Sequence, residues 1–195
     1  MRKEKLKELK ELIELIKVKE IELTDEQCKF IKARVYRVLT NDNHILRREK
    51  LTKGNLDGSA AITVPFINED EVIMCVEPRV FTKNTVGVGF PAGYIEENEE
   101  GMEAAKRELQ EETGYAGDLT YLGGFYQDSG ISGAFNQVFV ADGLKKVSEQ
   151  QLDSSEHIFR YICRFDEVEE LINEGYVSDA NSIIAYHKVK DYRRK

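Results

Sequence analysis

Between Gly93 and Tyr115 the chain sets eight glutamates against one lysine and one arginine, a local net charge of −6. The whole chain of 195 residues stands at −8, so this short stretch carries most of its negative charge. Such crowding is unfavourable unless something positive answers it. With residues 100–113 placed on a helix at about 100° per residue, Glu108, Glu111 and Glu112 share one face, since positions three and four apart are neighbours. Met102, Ala105, Leu109 and Thr113 form an adjoining stripe fit to pack on a sheet, while Glu103, Lys106 and Gln110 point to water. On the three glutamates alone, an ordinary solvated acidic face reads as well as a binding site. If the face is instead a site, its oxygen-only donors suit Mg²⁺, Mn²⁺ or Ca²⁺ rather than zinc. Mg²⁺ keeps positions open for water or phosphate oxygens, so such a cluster is a natural receptor for a diphosphate and for cleavage of a P–O–P bond.

The spacing decides between these readings. Gly93, Glu99, Arg107, Glu108, Leu109, Glu111, Glu112 and Gly114 fall in the pattern G-x₅-E-x₇-R-E-U-x-E-E-x-G-U, where U is a bulky aliphatic residue. This resembles the Nudix box; its last position, Tyr115, is aromatic where an aliphatic residue is usual, a difference that touches packing rather than ligation. The resemblance implies that Glu108 and Glu112 hold a divalent cofactor, Mg²⁺ or Mn²⁺, with Glu111 as a further ligand or a partner to metal-bound water. It implies an Arg107–Glu99 ion pair bracing the loop–helix–loop, and a metal-binding carbonyl at Ala92 that Gly93 lets approach. The likeness continues outside the box. Phe90-Pro91-Ala92-Gly93 and Phe125-Tyr126-Gln127-Asp128-Ser129-Gly130 resemble elements of ADP-ribose and sugar-nucleotide pyrophosphatases, with Ser129 where those enzymes carry proline.

The resemblance also implies a catalytic glutamate in the loop before a late strand, which here is Glu156, a carboxylate able to act as general base. An exposed loop acid is the plain alternative. His157 reads as an ordinary surface or strand histidine. Arg79 could clamp a phosphate or a ribose with its planar fork, or simply form a surface ion pair. Phe125, Tyr126 and Phe135 could stack on a base, although strand aromatics more often belong to a core.

The rest of the chain bounds the answer. No run of about 18 apolar residues is present, so no transmembrane helix is expected, and the charged N-terminus is unlike a secretory signal. An acidic chain is poorly suited to a nucleic-acid polymer, whose phosphates are neutralised by Lys and Arg. Cys28, Cys75 and Cys163 are odd in number and widely spaced, which predicts small core residues in a reduced, cytoplasmic protein rather than disulfides.

Residues 3–17 read as an amphipathic helix with Leu6, Leu9, Leu12, Ile13 and Ile16 on one side. That stripe would pack on the protein's own body or build a homodimer. Thr24 and Gln27 resemble a capping box, and Ile31, Val35, Val38 and Leu39 recur at helical spacing, predicting a second helix. A strand hairpin with 44–51 is the competing reading. Residues 1–58 are thus expected to form a mainly helical extension, and 59–195 a Nudix hydrolase domain. Within the latter, strands are expected at 60–67, 72–76, 85–90, 119–126, 135–141 and 157–164, with helices at 100–113, 166–173 and 180–189.

The expected fold is α+β, an α/β/α sandwich of Nudix type with a helical N-terminal extension. The expected function is metal-dependent hydrolysis of a nucleoside diphosphate linked to a sugar, ADP-ribose first, giving AMP and ribose 5-phosphate. A dinucleoside polyphosphate or nucleoside triphosphate pyrophosphohydrolase is the alternative enzyme, and a nucleotide-sensing module the alternative without catalysis.

Overall fold

A computed structural model describes residues 3–54 and 57–194. Among the described residues, two sheets and four helices form the body, and a hairpin stands outside it. The first sheet has the order β6-β3-β8-β7, from β3 (Ala60–Pro65), β6 (Ala92–Tyr94), β7 (Tyr115–Tyr126) and β8 (Phe135–Lys146). The second has the order β5-β4-β9, from β4 (Glu71–Pro78), β5 (Val86–Gly89) and β9 (Phe159–Arg164). Strands β3 and β8 run parallel, and every residue of β3 is buried. A parallel pair covered on both faces requires such continuous apolar sequence.

The two faces of the first sheet meet different partners. Ala61 and Phe139 pack beneath α2 (Gly101–Thr113), against Ala104 and Ala105. The alternate residues, Ile62, Val64, Val138 and Val140, join Val72, Met74 and Val76 of β4 in the main core. That core is closed by Val168 and Leu171 of α3 (Glu167–Asn173), Ala185, Tyr186 and Val189 of α4 (Ala180–Arg193), and Leu9 and Ile16 of α1 (Lys3–Ile16). Layers of helix and sheet around a shared core make this the expected α+β arrangement.

The α1 stripe is therefore covered by its own chain, with Leu12 and Ile13 also packed on the core. Two bonds fix the helix: Tyr161 Oη donates to the Lys5 carbonyl at 3.0 Å, and just beyond α1 the Val18 N–H donates to Thr85 Oγ1 at 3.1 Å.

The predicted second helix is not formed. Residues Ile31–Leu39 are β1, paired antiparallel with β2 (Ile45–Lys53). The segment is rich in β-branched and aromatic residues, which favour a pleated surface over a helix, and Asn43 supplies the left-handed conformation of the turn at φ 65°. Thr24 and Gln27 begin no helix, because residues 17–28 have no regular structure. The hairpin meets the body near its base, through Leu51 N–H to the Ile131 carbonyl, the Lys50–Asp57 ion pair at 2.6 Å, and Lys53, which reaches Gln127 and the Tyr94 ring. Cys75 and Cys163 are buried as expected, but Cys28 is exposed on the irregular segment; all three are free. No described helix is long and apolar enough to cross a membrane.

Candidate active site

The glutamate-rich segment folds as one loop–helix–loop. Glu100 opens α2, its N–H donating to the Glu103 carboxylate at 3.2 Å. Gly114 closes it at φ 76°, with its N–H on the Gln110 carbonyl at 2.7 Å. This is the left-handed terminus that glycine adopts most easily. The remaining C-terminal carbonyls of α2 are taken by the chain beyond β8. Gln151 N–H reaches the Glu111 carbonyl at 2.8 Å, Gln150 Nε2 the Glu112 carbonyl at 2.6 Å, and Arg160 Nη1 the Thr113 carbonyl at 2.8 Å. Those contacts dock the loop that carries Glu156.

Arg107 is the hub of the acidic face. Its fork grips Glu99 through Nε at 2.9 Å and Nη2 at 3.0 Å. Nη1 reaches Glu108 at 2.5 Å and Glu111 at 3.1 Å, and Nη2 also donates to the Tyr94 carbonyl at 3.0 Å. The guanidinium holds the Glu99 carboxyl below its usual range and is itself harder to deprotonate. Glu108 and Glu112 are buried, 9% and 5% exposed. Burial pushes the Glu108 carboxyl up despite Arg107. Glu112 is pushed up to about 8 by burial first, then by the charges of Glu77 and Glu108. Its Oε2 accepts from Ala92 N–H at 3.1 Å and from the Cys75 thiol at 3.5 Å, and burial beside it drives that thiol's pKa up as well.

These groups fit a hard divalent cation by their chemistry. All are oxygen donors, two are withdrawn from water, and the acids outnumber the one cation that answers them. Gly93 completes the cradle, since a Cβ there would collide with the Glu108 carboxyl group. Among the described residues no three His, Cys, Asp or Glu side chains converge on one point as an ion would draw them. Glu108 and Glu111 turn to Arg107 instead, and Glu112 to Ala92 and Cys75.

A cavity of about 300 Å³ opens beside Gly93. Ala92 and Gly93 form one wall, Glu77 and Arg79 another, and Asp179, Asn181 and Ser182 of the α4 end a third. Glycines let two lining side chains pack closely: a Cβ at Gly87 would stand 2.5 Å from Arg79 Cγ, and one at Gly89 2.6 Å from Ser182 Oγ.

The predicted residues distribute unevenly around this cavity. Arg79 lines it, paired with Glu77 at 2.5 Å. Glu156 is exposed and accepts from Asp153 N–H at 2.9 Å, close enough for its charge to raise the Glu77 and Glu108 carboxyls. Phe125 packs on the main core, and Tyr126 is exposed with its ring edge-on to Phe135; none of these three lines the cavity. His157 is exposed against Phe159.

Sequence reading missed several residues that do lie there. Tyr94 is the exposed aromatic of the wall, beside Phe30 and Lys53. Glu77 could have been found as an acid ending an apolar strand two residues before Arg79. Asn136, Asp179 and Asn181 carry no local signal, since they meet only through tertiary packing.

Comparison with known proteins agrees with this geometry. A family model described as NUDIX domain matches residues 58–190. The chain is 32% identical over 128 residues to an ADP-ribose pyrophosphatase of Bacillus subtilis, covering 65% of this chain and 69% of that one. It is 30% identical over 128 residues, with the same coverage, to a methanol dehydrogenase activator of Bacillus methanolicus. Among solved structures, an ADP compounds hydrolase superposes with a TM-score of 0.74 at 22% identity, covering 88% of this chain and 91% of that chain, a likeness of fold.

Proposed function

Because the chain belongs to the Nudix family and is a hydrolase of its pyrophosphatase kind, we propose that it hydrolyses a nucleoside diphosphate joined to a sugar, ADP-ribose foremost, to AMP and a sugar phosphate. One observation carries this reading: Gly93 packs against the buried Glu108 carboxylate and also lines a cavity large enough for part of such a substrate. The ADP-ribose pyrophosphatase among its relatives supports the choice of sugar. Held by Glu108, Glu111, Glu112 and the Ala92 carbonyl, Mg²⁺ or Mn²⁺ would supply charge for the phosphoryl oxygens and a more acidic bound water.

The chain's own groups do the rest. Arg107 orients Glu108 and Glu111 and braces the turn through Glu99. Arg79 is placed to clamp a phosphate or ribose, and its fork suits either. Glu156 is the candidate general base. Gly114 and Gly93 keep the loop–helix–loop in shape. Phe125 and Tyr126 are not retained as base-stacking residues, since they lie off the cavity; Tyr94 takes that place. The sensing alternative is disfavoured because every box glutamate is present.

We further infer that the protein works in a reducing compartment, the cytoplasm, which its free cysteines fit, and as a homodimer built on the β1–β2 hairpin rather than on α1. A panel of nucleotide substrates with Mg²⁺ tests the activity, read as AMP release. ADP-ribose should be the best substrate. Glu112→Gln and Glu108→Gln should each lower turnover by about a hundredfold or more while the fold persists. An active Glu112→Gln protein, or no cleavage of any diphosphate offered, would remove the assignment.

A further inference from the structure

We propose that Asn181 and Asp179, at the start of α4, form a subsite for the vicinal hydroxyls of a pentose. The proposal rests on the reading that the substrate is a nucleoside diphosphate carrying a sugar.

The argument starts at Asn136, a polar strand residue only 1% exposed. Its Oδ1 accepts from the Ala60 N–H at 3.0 Å, and a backbone donor leaves no doubt which end of the amide faces it. Nδ2 must then donate, and it does so to Asn181 Oδ1 at 2.8 Å. With that oxygen used, Asn181 is left with its amide nitrogen, whose two N–H donors have no partner among the described residues, at the cavity wall. Beside it, Asp179 spends Oδ1 on the Ser182 N–H at 2.9 Å, capping α4. Its Oδ2 lies over Gly89, where a Cβ would stand 3.3 Å away. A donor on Asn181 and an acceptor on Asp179 are therefore offered on one cavity wall, the donor's orientation set by a relay from the backbone.

Three ligand chemistries compete for this wall. A phosphate would face the Asp179 carboxylate, with Glu77 close enough to feel that charge. A base seeks an aromatic face, and the residues α4 gives to the cavity, Asp179, Asn181 and Ser182, have none. Tyr94, which has, stands on β6. A cis-diol gives and takes a hydrogen bond at each hydroxyl, so it satisfies both groups at once, and the cavity of about 300 Å³ that both line has room for a furanose ring. A ligand lacking one of those hydroxyls would forgo its hydrogen bond to Asn181 or Asp179.

The ribose could be the distal one or that of the nucleoside, and the test separates them. Kinetics with Mg²⁺ would compare ADP-ribose with its 2-deoxy analogue on the distal ribose and with its 2′-deoxy analogue on the adenosine. The wild-type protein should prefer ADP-ribose to one of the two by about tenfold or more in kcat/KM. Asn181→Asp keeps the acceptor for Asn136 and removes both donors, so the fold should hold while the preference shrinks to about twofold. Because the preference is a ratio within one protein, a general repulsion of diphosphate by the new carboxylate cancels. Asn181→Ala should lose the preference too, and serves if Asn181→Asp folds poorly. No wild-type preference against either analogue, or a preference intact in both variants, would overturn the subsite while leaving the hydrolase reading standing. Failure of the wild-type protein to cleave ADP-ribose and both analogues would overturn the two together.

Discussion

Glu112 illustrates how a single side chain joins stability to chemistry. Its carboxyl sits at about 8 because burial, reinforced by Glu77 and Glu108, penalises the ion. In the unfolded chain the same group ionises in the ordinary range, near 4.5. Below that range both states hold the proton and nothing is lost. Between about 4.5 and 8 the unfolded chain releases a proton that the native state keeps, so stability falls as pH rises. The Glu108 and Glu77 carboxyls are shifted in the same direction and add to the fall. Glu99 acts oppositely and at lower pH: held down by Arg107, it supplies stability that is lost as pH drops through its native range. Calorimetry of the metal-free protein should therefore show a midpoint that declines from pH 5.5 to 8, and Glu112→Gln should flatten the decline. Added Mg²⁺ should raise the midpoint more at pH 8 than at pH 5.5, because carboxylate ligands bind metal in their ionised form. A rising midpoint for the metal-free protein across that window would refute the account. At this scale the acidic face was legible because the pattern of Glu108, Glu111 and Glu112 is local to one helix. Asn136 and Asn181, 45 residues apart, acquire meaning only when β8 and α4 meet.

Elements were legible where pattern and burial agree. In α2 the apolar stripe of Ala105, Leu109 and Thr113 is buried, while Glu103 and Lys106 stay exposed, and Gly114 ends the helix where expected. The strands of the body were found to within a few residues, except β6, whose three residues are too few to show a period. The β1 segment misled because Ile31, Val35, Val38 and Leu39 satisfy a helical period without any helix face to bury. Every residue of β1 is exposed. Periodicity is informative only when a core selects it. Gly114 shows how tightly the terminus of α2 is specified. It holds φ 76°, and a Cβ there would stand 2.5 Å from the Ser148 carbonyl oxygen. Gly114→Ala should thus lose about 2 kcal/mol or more by denaturant titration, since strained backbone and close approach add together. It should also reduce activity, because Glu112 lies only two residues before it. A variant as stable as the parent would show that the turn relaxes freely.

The whole molecule poses one question that its own chain does not answer, namely what covers the hairpin. An isolated two-stranded ribbon is marginal in water, yet β1 and β2 extend from the body held mainly at their base. Ile31, Val35 and Leu39 of β1 share one face with Ile45 of β2, by the register that sets Leu39 opposite Ile45. Val35 is 60% and Leu39 65% exposed. Such an apolar patch on a marginal element marks an association surface. The hairpin is also basic, with seven Lys and Arg against two acids over residues 31–53, whereas residues 93–115 of every copy are strongly acidic. A second copy of this chain therefore offers both apolar and electrostatic complements, and the packed α1 stripe is no longer available to serve. Light scattering at several concentrations should return a dimer. Val35→Glu combined with Leu39→Glu should shift it to monomer without unfolding the body, as those side chains touch no core. The same ribbon leads into Lys53 at the cavity wall, so loss of the dimer should also raise KM while leaving the box glutamates intact. A wild-type protein that stays monomeric at every concentration, or a double variant that stays dimeric, would assign the hairpin to some other partner.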